Sequence, residues 1–331
     1  MTGARSAIPV GVIGVGSLGF HHARLLAGIP GCTMVGIHDA DPERGRKVAD
    51  ELGLNHFEDL DSLLRQIDAA IIAVTTTEHA RVAIAALEAN VHVLIEKPIA
   101  ATLDEADAIL AKAAEKGLLV ATGHVERFNQ ALRACEPYLD AARFIESHRL
   151  SPFGTRGTDV AVVLDLMIHD IDLILGLAQR PVDSVDAVGI PVLTPSVDIA
   201  NARIKFVGGA VANITASRVS RERMRKIRLF QESGYISLDL AAGTGEFLRL
   251  RPGATLASPE ALQAGIAGLV DRIELIGDGK EPLLAELESF VAAVRGEGRV
   301  VVSGDDGRRA LEVALQIVEK TDSHVTHTRT A

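Results

Sequence analysis

The sequence predicts an α/β protein of two domains, a doubly wound parallel sheet over residues 1–123 and an α/β domain with an open antiparallel sheet over residues 124–331. Three observations lead to this fold class. Short β-branched runs alternate with Ala- and Leu-rich helical segments up to about residue 120. After about residue 143, one long helical stretch precedes a series of strand-like runs. At 331 residues and 47% hydrophobic composition, the chain is long and apolar enough to bury two cores.

The first domain contains five short apolar runs that we predict as strands. They are Val10–Val15, Met34–Asp39, Ala69–Val74, Val91–Ile95 and Leu118–Ala121. The helix-breaking pairs Pro30-Gly31, Asp41-Pro42 and Lys116-Gly117 fall where the intervening helices should begin or end. Because strands alternate with helices, the sheet should be parallel, with right-handed crossovers and helices on both faces.

The second domain is predicted to begin with a helix over Asp159–Ala178. The strand-like runs that follow are 184–193, 199–207, 210–218, 226–231 and 235–240. Gly208-Gly209 and Ser233-Gly234 are expected to be hairpin turns, because glycine accepts the positive φ of tight reversals. Helices are predicted at about 282–296 and 304–320, able to pack back on the first domain, with a frayed tail from Asp322.

Composition excludes several classes of function. A net charge of -10 argues against nucleic-acid binding, which needs a basic face. The two cysteines, Cys32 and Cys135, stand in unrelated contexts, so we expect neither a disulfide framework nor a metal site. We therefore expect the protein to be in a reducing compartment. Residues 1–7 lack the apolar core of a signal peptide, and no stretch is long and apolar enough to span a membrane. A cytoplasmic protein that binds a small molecule is expected.

A glycine-rich turn follows the first predicted strand and opens a helix. It reads Gly14-Val15-Gly16-Ser17-Leu18-Gly19. In this context the glycines, with Ser17 and Leu18, predict binding of a dinucleotide pyrophosphate at the helix N-terminus, and hence a Rossmann domain. The alternative is a structural turn of an α/β domain.

Asp39 ends the next predicted strand, 20 residues after Gly19, where a carboxylate can bind a ribose 2′-hydroxyl. The same carboxylate repels a 2′-phosphate, so NAD is expected as the cofactor. NADP is the alternative, because Arg44 and Arg46 can accommodate a phosphate if Asp39 turns away.

Two further motifs end strands of the predicted parallel sheet. Thr75, Thr76 and His79 follow the strand Ala69–Val74, at the carboxyl edge where ligands bind, and either line the cofactor or cap the next helix. Glu96-Lys97-Pro98 ends another strand, which should present Lys97 beside the nicotinamide. An ordinary surface lysine is the alternative.

Asp165 and His169 lie four residues apart in the predicted second-domain helix, which places a carboxylate and an imidazole on one face. Oxidation of a secondary alcohol needs a base for the hydroxyl proton, and His169 is our candidate. Lys97 would hydrogen-bond the same oxygen, and Asp165 would orient the hydroxyl or the imidazole. The alternative is an exposed ion pair on a helix.

The order of these motifs resembles that of the Gfo/Idh/MocA oxidoreductases, which include glucose-fructose oxidoreductase and myo-inositol dehydrogenase. The resemblance covers nearly the whole chain. It implies a sugar substrate, a second domain with a mostly antiparallel sheet used in dimers or tetramers, and a cis bond before Pro98. It also implies that Lys97, Asp165 and His169 match the catalytic lysine, aspartate and histidine. One departure is that many members have a glycine-rich approach to the aspartate, where this chain has residues 159–164 without glycine.

Three runs further resemble the family branch that oxidises UDP-N-acetylglucosamine at its 3-hydroxyl. They are His124-Val125-Glu126-Arg127-Phe128-Asn129, Ser151-Pro152-Phe153 and the run 163–170. The candidate substrate-binding residues are Lys97, His124, Arg127, Arg156, Asp165, His169 and Arg223.

A basic cluster agrees with an anionic substrate. It sets six basic residues against one acid, Glu222, and consists of Arg218, Arg221, Arg223, Arg225, Lys226 and Arg228. A diphosphate would use arginine side chains well, because guanidinium binds phosphate oxygens in pairs. The alternative is a solvent-exposed edge strand whose charges prevent it from pairing with another strand.

Other functions remain open at this stage. A free sugar or inositol can be the substrate, or the scaffold can serve a reductase. A non-catalytic dinucleotide sensor is also conceivable, but loss of Lys97 or His169 would then be expected. A homodimer or homotetramer is predicted, because apolar residues alternate along 199–207 and one face of that sheet needs cover.

Overall fold

A computed structural model describes residues 7–154, 160–251 and 268–330 of the chain. Its contacts divide the chain into two compact units. The first comprises Met1–Val125 and Glu281–Glu312, and the second comprises Glu126–Lys280 and Val313–Ala331. The first unit therefore takes in residues 281–312 from the far end of the sequence as well as the predicted first domain.

The first unit contains a five-stranded parallel sheet of order β2-β1-β3-β4-β5. Its strands are β1 (Ile8–Ile13), β2 (Cys32–His38), β3 (Ala69–Ile72), β4 (His92–Glu96) and β5 (Val120–Gly123). All five strands and their parallel arrangement were predicted from the sequence, with ends that differ by a few residues. The strand order reverses at β1, which lies between β2 and β3, so their carboxyl ends form the crevice where ligands bind in such sheets.

Helices connect the strands of the first unit. They are α1 (Ser17–Leu26), α2 (Pro42–Leu52), α3 (Leu60–Leu64), α4 (His79–Glu88) and α5 (Leu103–Lys116). Their ends follow from local sequence. The Asp41 side chain caps α2 by accepting hydrogen bonds from the backbone N–H groups of Glu43 and Arg44. Gly53 and Gly117 end α2 and α5 in the left-handed conformation that glycine adopts readily.

Two C-terminal helices were predicted, and both are present. The helix α8 (Pro282–Val294) belongs to the first unit, where Leu287, Phe290 and Val291 join the hydrophobic core formed around β1. The helix α9 (Gly304–Thr330) is longer than predicted. The frayed tail expected from Asp322 is wrong, because Thr321 is buried and His324 Nδ1 donates a hydrogen bond to the carbonyl oxygen of Gly189 at 3.1 Å.

The second unit contains an eight-stranded sheet of order β13-β12-β11-β10-β6-β9-β8-β7. Its strands are β6 (Phe144–Leu150), β7 (Val182–Ile190), β8 (Ile199–Phe206), β9 (Val211–Ser217), β10 (Met224–Gln231), β11 (Gly234–Asp239), β12 (Thr244–Leu250) and β13 (Val270–Ile276). The sheet is mostly antiparallel, but β6 pairs with β9 in parallel. The predicted hairpins are confirmed, with φ of 90° at Gly208 and 147° at Gly234.

The predicted helix over Asp159–Ala178 is shorter and in two parts. A π-helical turn over Val163–Met167 leads directly into the α-helix α7 (Ile168–Ala178), and Asp159 lies outside the described residues. A further short helix, α6 (Gln130–Cys135), precedes the sheet. The π turn matters for function, because such turns occur frequently at functional sites.

The apolar face of β8, which we predicted to need cover from another subunit, is already buried. Ala200, Ala202, Ile204 and Phe206 are buried within the second unit. The opposite face of β8 exposes Asn201, Arg203 and Lys205. The reason given for oligomerisation therefore fails for this strand.

Two further properties bear on the class of protein. No helix in the described ranges is both long and apolar enough to cross a membrane. Cys32 and Cys135 are free thiols, and burial raises their pKa to about 11 and about 12. Neither is therefore a thiolate nucleophile at neutral pH.

Candidate active site

The glycines of the first turn are required for three different reasons. Gly14 has a φ of 84°, and a Cβ there would lie 2.7 Å from the backbone of Ala73. A Cβ on Gly19 would lie 1.9 Å from the carbonyl oxygen of Gly14, so this glycine allows close helix–strand packing. Around Gly16, by contrast, no atom of the described chain lies within 4 Å of an added Cβ. The protein itself does not require glycine at position 16, and the open space is where a pyrophosphate would approach the backbone.

The helix N-terminus beside this space suits an anion. Its N-cap is Gly16, which has no side chain to cap the helix, and the first turn carries no acidic residue. Backbone N–H groups and the positive end of the helix dipole can therefore face a bound phosphate. Leu18, also in this turn, is 41% exposed.

Asp39 and Arg44 hold the glycine turn from two sides. Asp39 Oδ2 accepts a hydrogen bond from the backbone N–H of Val15 at 2.7 Å, and Oδ1 accepts one from Asp41 at 2.9 Å. Arg44 Nε donates to the carbonyl oxygen of Val15 at 2.8 Å. Arg46 instead pairs with Glu58 on the surface at 2.6 Å. Of the two arginines considered for a 2′-phosphate, only Arg44 lies at the turn.

A cleft of about 380 Å³ opens at the carboxyl ends of β1 and β3 in the first unit. Gly14, Gly16, Asp39 and Thr75 line it, together with Arg81. Its volume falls in the range of small-molecule sites. These residues fit the adenosine half of a dinucleotide, with Asp39 at the ribose and the uncapped helix at the pyrophosphate.

His79 was expected to line the cofactor or cap the next helix, and it does not line this cleft. It is 1% exposed, with Nδ1 2.8 Å from the carbonyl oxygen of Pro98 and Nε2 3.2 Å from that of Val74. Burial lowers its pKa, although the two carbonyl oxygens act in the opposite direction. His79 therefore ties two loops together, while Thr76, expected beside it at the cofactor, opens a 3₁₀ turn over Thr76–Glu78.

Glu96 and Lys97 end β4 at the same sheet edge. The bond between Lys97 and Pro98 is cis, as the family resemblance implied. Glu96 is 7% exposed, and its Oε1 lies 2.7 Å from Nε2 of the fully buried His22. Burial acts to raise the pKa of Glu96, but the hydrogen bond from His22 and the electrostatic interactions with His22 and Lys97 outweigh it and lower that pKa. The carboxyl is therefore an anion beside Lys97 at neutral pH.

In the second unit, Asp165 lies in the π turn and His169 in the first turn of α7. Both side chains are half-buried. Asp170 and Asp172, which follow them in α7, are each 1% exposed. The two buried carboxylates, Asp170 and Asp172, therefore need polar partners inside the second unit.

Arg149 of β6 is the partner of Asp170. Its Nε and Nη2 donate to Asp170 at 2.8 and 3.1 Å, while Nη1 donates to Glu126 Oε1 at 2.9 Å. Arg149 is itself 3% exposed. Burial alone would lower its pKa, but Asp170 and Glu126 outweigh this and raise it. The triad fixes the first turn of α7, which carries His169.

Arg127, expected to bind substrate, is the partner of Asp172. Its Nε and Nη2 donate to that carboxylate at 2.6 and 3.0 Å. A Cβ on Gly176 would lie 2.1 Å from Arg127 Nη1, so the guanidinium lies directly across α7. These bidentate bonds are made within the unit and give Arg127 a structural role, while its binding of substrate stays a prediction.

The other candidate substrate-binding residues lie in different parts of the chain. His124 directly follows β5 in the first unit and is 1% exposed. Arg156 lies outside the described residues. Arg223 is exposed in the bend before β10. Among the described residues, no group of His, Cys, Asp and Glu side chains is placed to hold a metal ion.

The basic cluster is largely neutralised by pairing within the second unit. Arg218 lies near the buried Asp198, Arg225 near Glu126, Lys226 near Asp239 and Arg228 against Glu146. Within the described ranges, Arg221 and Arg223 are exposed and make no ion pair. Any binding of a diphosphate by the cluster therefore falls chiefly to Arg221 and Arg223.

Sequence reasoning missed the roles of His22, Glu126, Arg149 and Asp170. A signal existed for His22, because it shares the buried face of α1 with Gly19, Ala23 and Leu26 at helical spacing. No local signal marks Arg149, whose partners are 21 and 23 positions away in sequence.

Comparison with known families gives matches to both units. The model of an oxidoreductase family with an NAD-binding Rossmann fold, Gfo/Idh/MocA, matches residues 8–124. The model of the C-terminal domain of the same family matches residues 138–237.

Individual proteins match over nearly the whole length. The chain is 39% identical to the UDP-N-acetylglucosamine 3-dehydrogenase of Acidithiobacillus ferrooxidans over 309 residues, which are 93% of this chain and 95% of that protein. A crystal structure of the enzyme with that name and source superposes with a TM-score of 0.87 at 36% identity, covering 96% of this chain and 98% of the other. The myo-inositol 2-dehydrogenase of Thermotoga maritima is 25% identical over 91% of this chain and 92% of its own.

Proposed function

The chain belongs to the Gfo/Idh/MocA family of NAD-binding oxidoreductases, and on that premise we propose that it oxidises the 3-hydroxyl of UDP-N-acetylglucosamine with NAD. The observation that carries the proposal is the 39% identity to a UDP-N-acetylglucosamine 3-dehydrogenase over 93% of this chain. The identity to the myo-inositol enzyme is 25% over a similar length. The UDP-sugar is therefore favoured over a free polyol.

The first unit supports NAD as the cofactor. Gly16 leaves room for a pyrophosphate, the N-terminus of α1 is uncapped, and Asp39 lines the adjoining cleft. A carboxylate at the ribose favours a 2′-hydroxyl over a 2′-phosphate. When bound, NAD supplies the hydride acceptor.

The remaining chemistry falls to three side chains. His169 accepts the proton of the substrate hydroxyl, since an imidazole titrates near neutral pH. Lys97 hydrogen-bonds the same oxygen and stabilises the negative charge that develops on it. Asp165 orients the hydroxyl or the imidazole. The buried pairs of Asp170 with Arg149 and of Asp172 with Arg127 support this by holding α7 in place.

A nucleotide sugar also explains why basic side chains are left exposed on an acidic protein. Arg221 and Arg223 lie in the bend before β10 without an ion pair among the described residues. Guanidinium groups bind phosphate oxygens in pairs, so these two arginines are our candidates for the diphosphate. Arg156 is proposed to assist them, on the family resemblance alone.

The assay is to incubate the protein with NAD and UDP-N-acetylglucosamine, with an aminotransferase and its amino-group donor to convert the ketone to an amine, and to follow NADH. We expect turnover with the UDP-sugar and none with free N-acetylglucosamine or myo-inositol. Arg223→Ala should raise the KM for the UDP-sugar about tenfold. The control Arg203→Ala alters another exposed arginine of the second unit and should leave KM unchanged. Turnover of an uncharged sugar, with none of any UDP-sugar, would overturn the proposal.

We further propose that the protein is a cytoplasmic homodimer or homotetramer. The support is an aromatic cluster on the second sheet, on the face opposite its buried side chains. Phe230 contacts Phe144 and Tyr235 with ring centroids 5.6 and 4.9 Å apart, and Phe230 is 37% exposed. Light scattering that gave 35.0 kDa at micromolar concentration would contradict an oligomer.

A further inference from the structure

His22 is a fully buried histidine on the helix that follows the glycine turn. Its Nε2 lies 2.7 Å from Glu96 Oε1, and both side chains are within the first unit. A buried imidazole costs free energy unless it gains a specific partner, and here the partner is the residue directly before Lys97. None of the steps described so far uses this pair.

The Glu96 carboxylate is held on three sides. His22 occupies Oε1, and the backbone N–H of Lys97 donates to Oε2 at 3.2 Å. On the third side, a Cβ on Gly123 would lie 2.9 Å from the carboxyl carbon. These contacts fix the position of the carboxylate, in which its Oε2 accepts the hydrogen bond from the backbone N–H of Lys97.

The charged and titratable groups around this carboxylate come from three elements. His22 lies on α1, His79 on α4 and Lys97 at the end of β4, and each interacts electrostatically with Glu96. Among these, Lys97 is the residue expected to touch substrate. Lys97 follows Glu96 directly in the sequence, and its charge lowers the pKa of that carboxylate, so the same attraction favours the protonated form of the lysine.

We propose that His22 and Glu96 are positioning residues for Lys97: His22 locks the Glu96 carboxylate, which fixes the Lys97 backbone and keeps its side chain protonated. The assignment rests on the proposed function, in which Lys97 donates a hydrogen bond to the substrate oxygen. With this assignment, the helix α1 has two functional roles. The N-terminus of this helix faces the cofactor, and its buried face orients the lysine through His22.

The first test measures Lys97 itself and needs neither substrate nor cofactor. The rate at which acetic anhydride modifies Lys97 is followed by peptide mass spectrometry as a function of pH. Glu96→Gln should speed modification at neutral pH about tenfold, because the ammonium loses its anion and deprotonates more easily. His22→Leu should act in the same direction. His22→Gln retains a donor for Glu96 and should stay within about twofold of wild type.

The second test separates positioning from mere stability. In Glu96→Gln we expect kcat with UDP-N-acetylglucosamine to fall about tenfold to a hundredfold, while the NAD affinity measured by calorimetry changes less than about twofold. The double variant His22→Leu/Glu96→Gln removes both polar partners, and should regain thermal stability relative to His22→Leu without regaining turnover. His21→Leu is the matched control, because His21 is exposed on the same helix.

Each outcome bears on one claim. An unchanged Lys97 modification profile in Glu96→Gln would overturn the positioning role, as would full turnover in the stable double variant. If the wild-type protein does not oxidise UDP-N-acetylglucosamine, the proposed function fails, and the modification profile still decides whether Glu96 governs Lys97. Glu96→Gln is close to isosteric with the wild-type residue, so the test does not depend on whether His22→Leu folds.

Discussion

The candidate functional groups of the two units differ in kind. In the first unit, the ligand-facing groups are largely backbone, exposed by glycines and by an uncapped helix N-terminus. In the second unit, charged side chains dominate, and most of them bind one another, as Arg149 does with Asp170 and Glu126. Backbone sites depend on the path of the chain, whereas a network of buried charges depends on every member being present.

This difference has consequences for robustness. A change of one surface side chain near the glycine turn leaves its N–H groups in place. Loss of one arginine from the second unit leaves a buried carboxylate without its counter-charge, which is far more costly. The predictions below use this contrast, beginning with the largest expected effect.

The largest effect should come from the residues proposed to act on the substrate, one in each unit. Lys97→Ala and His169→Ala should each lower kcat by about two to four orders of magnitude, through loss of electrostatic and acid–base assistance respectively. NAD affinity should barely change, which calorimetry can check. Near wild-type turnover in either variant would withdraw the role of that residue. Lys116→Ala, at the exposed end of α5, serves as the control.

The next effect tests the buried charge network. Arg149→Leu should lower the free energy of unfolding by about 3–5 kcal/mol, because Asp170 and Glu126 lose their shared partner. Arg143→Leu is the matched control, since it removes an arginine paired with Glu232 at 2.9 Å, with both side chains more than 70% exposed. It should have little measurable effect on urea unfolding. Equal losses in the two variants would remove the distinction between the units.

A smaller effect is expected where the backbone itself forms the site. Gly16→Ala should lower NAD affinity about tenfold without changing the melting temperature, because the added methyl group meets only the space left for the pyrophosphate. Gly28→Ala is the control, with only the Leu25 carbonyl oxygen nearby at 3.7 Å. If Gly16→Ala destabilised the protein but bound NAD normally, position 16 would be structural.

The smallest effect concerns the choice between the two nicotinamide cofactors. Asp39→Asn keeps one acceptor oxygen, exchanges the other for an NH2 donor, and removes the charge that repels a 2′-phosphate. The ratio of kcat/KM for NADP over NAD should rise about fivefold to tenfold, assisted by Arg44. Steady-state rates with both cofactors decide this, and an unchanged ratio would mean that Asp39 serves only to hold Val15 and Asp41.

The first unit was well predicted because its determinants are local in sequence. The glycine turn and Asp39 lie within one strand–helix–strand segment, where Gly14 and Gly19 are required by close backbone contacts and Gly16 borders open space. The central strands β3 and β4 are short, largely apolar and buried, which is typical of strands covered on both faces. The local pattern does not reveal the partner of an interior polar group: helical spacing places His22 on the buried face of α1, but nothing near it in sequence indicates Glu96.

The second unit was less predictable for the same reason. β6 has the sequence Phe-Ile-Glu-Ser-His-Arg-Leu, whose buried positions include Ser147 and Arg149, so apolar alternation does not reveal it. β12 and β13 are also charged and were not predicted. Arg127 was named as a substrate candidate on the family resemblance, and the sequence does not show its tertiary partner, Asp172. The π turn at Asp165 likewise follows from packing rather than from the spacing of the residues.

The central claim is that the hydride comes from carbon 3 of a UDP-sugar and is accepted by NAD. It is tested most directly with UDP-N-acetylglucosamine deuterated at carbon 3, incubated with NAD and the protein, and with mass spectrometry of the reduced nicotinamide. The account predicts NADH that carries the deuterium, formed in an amount equal to the ketone. Unlabelled NADH would show that another carbon is oxidised, and deuterium transfer from a free sugar but from no UDP-sugar would contradict the proposed substrate.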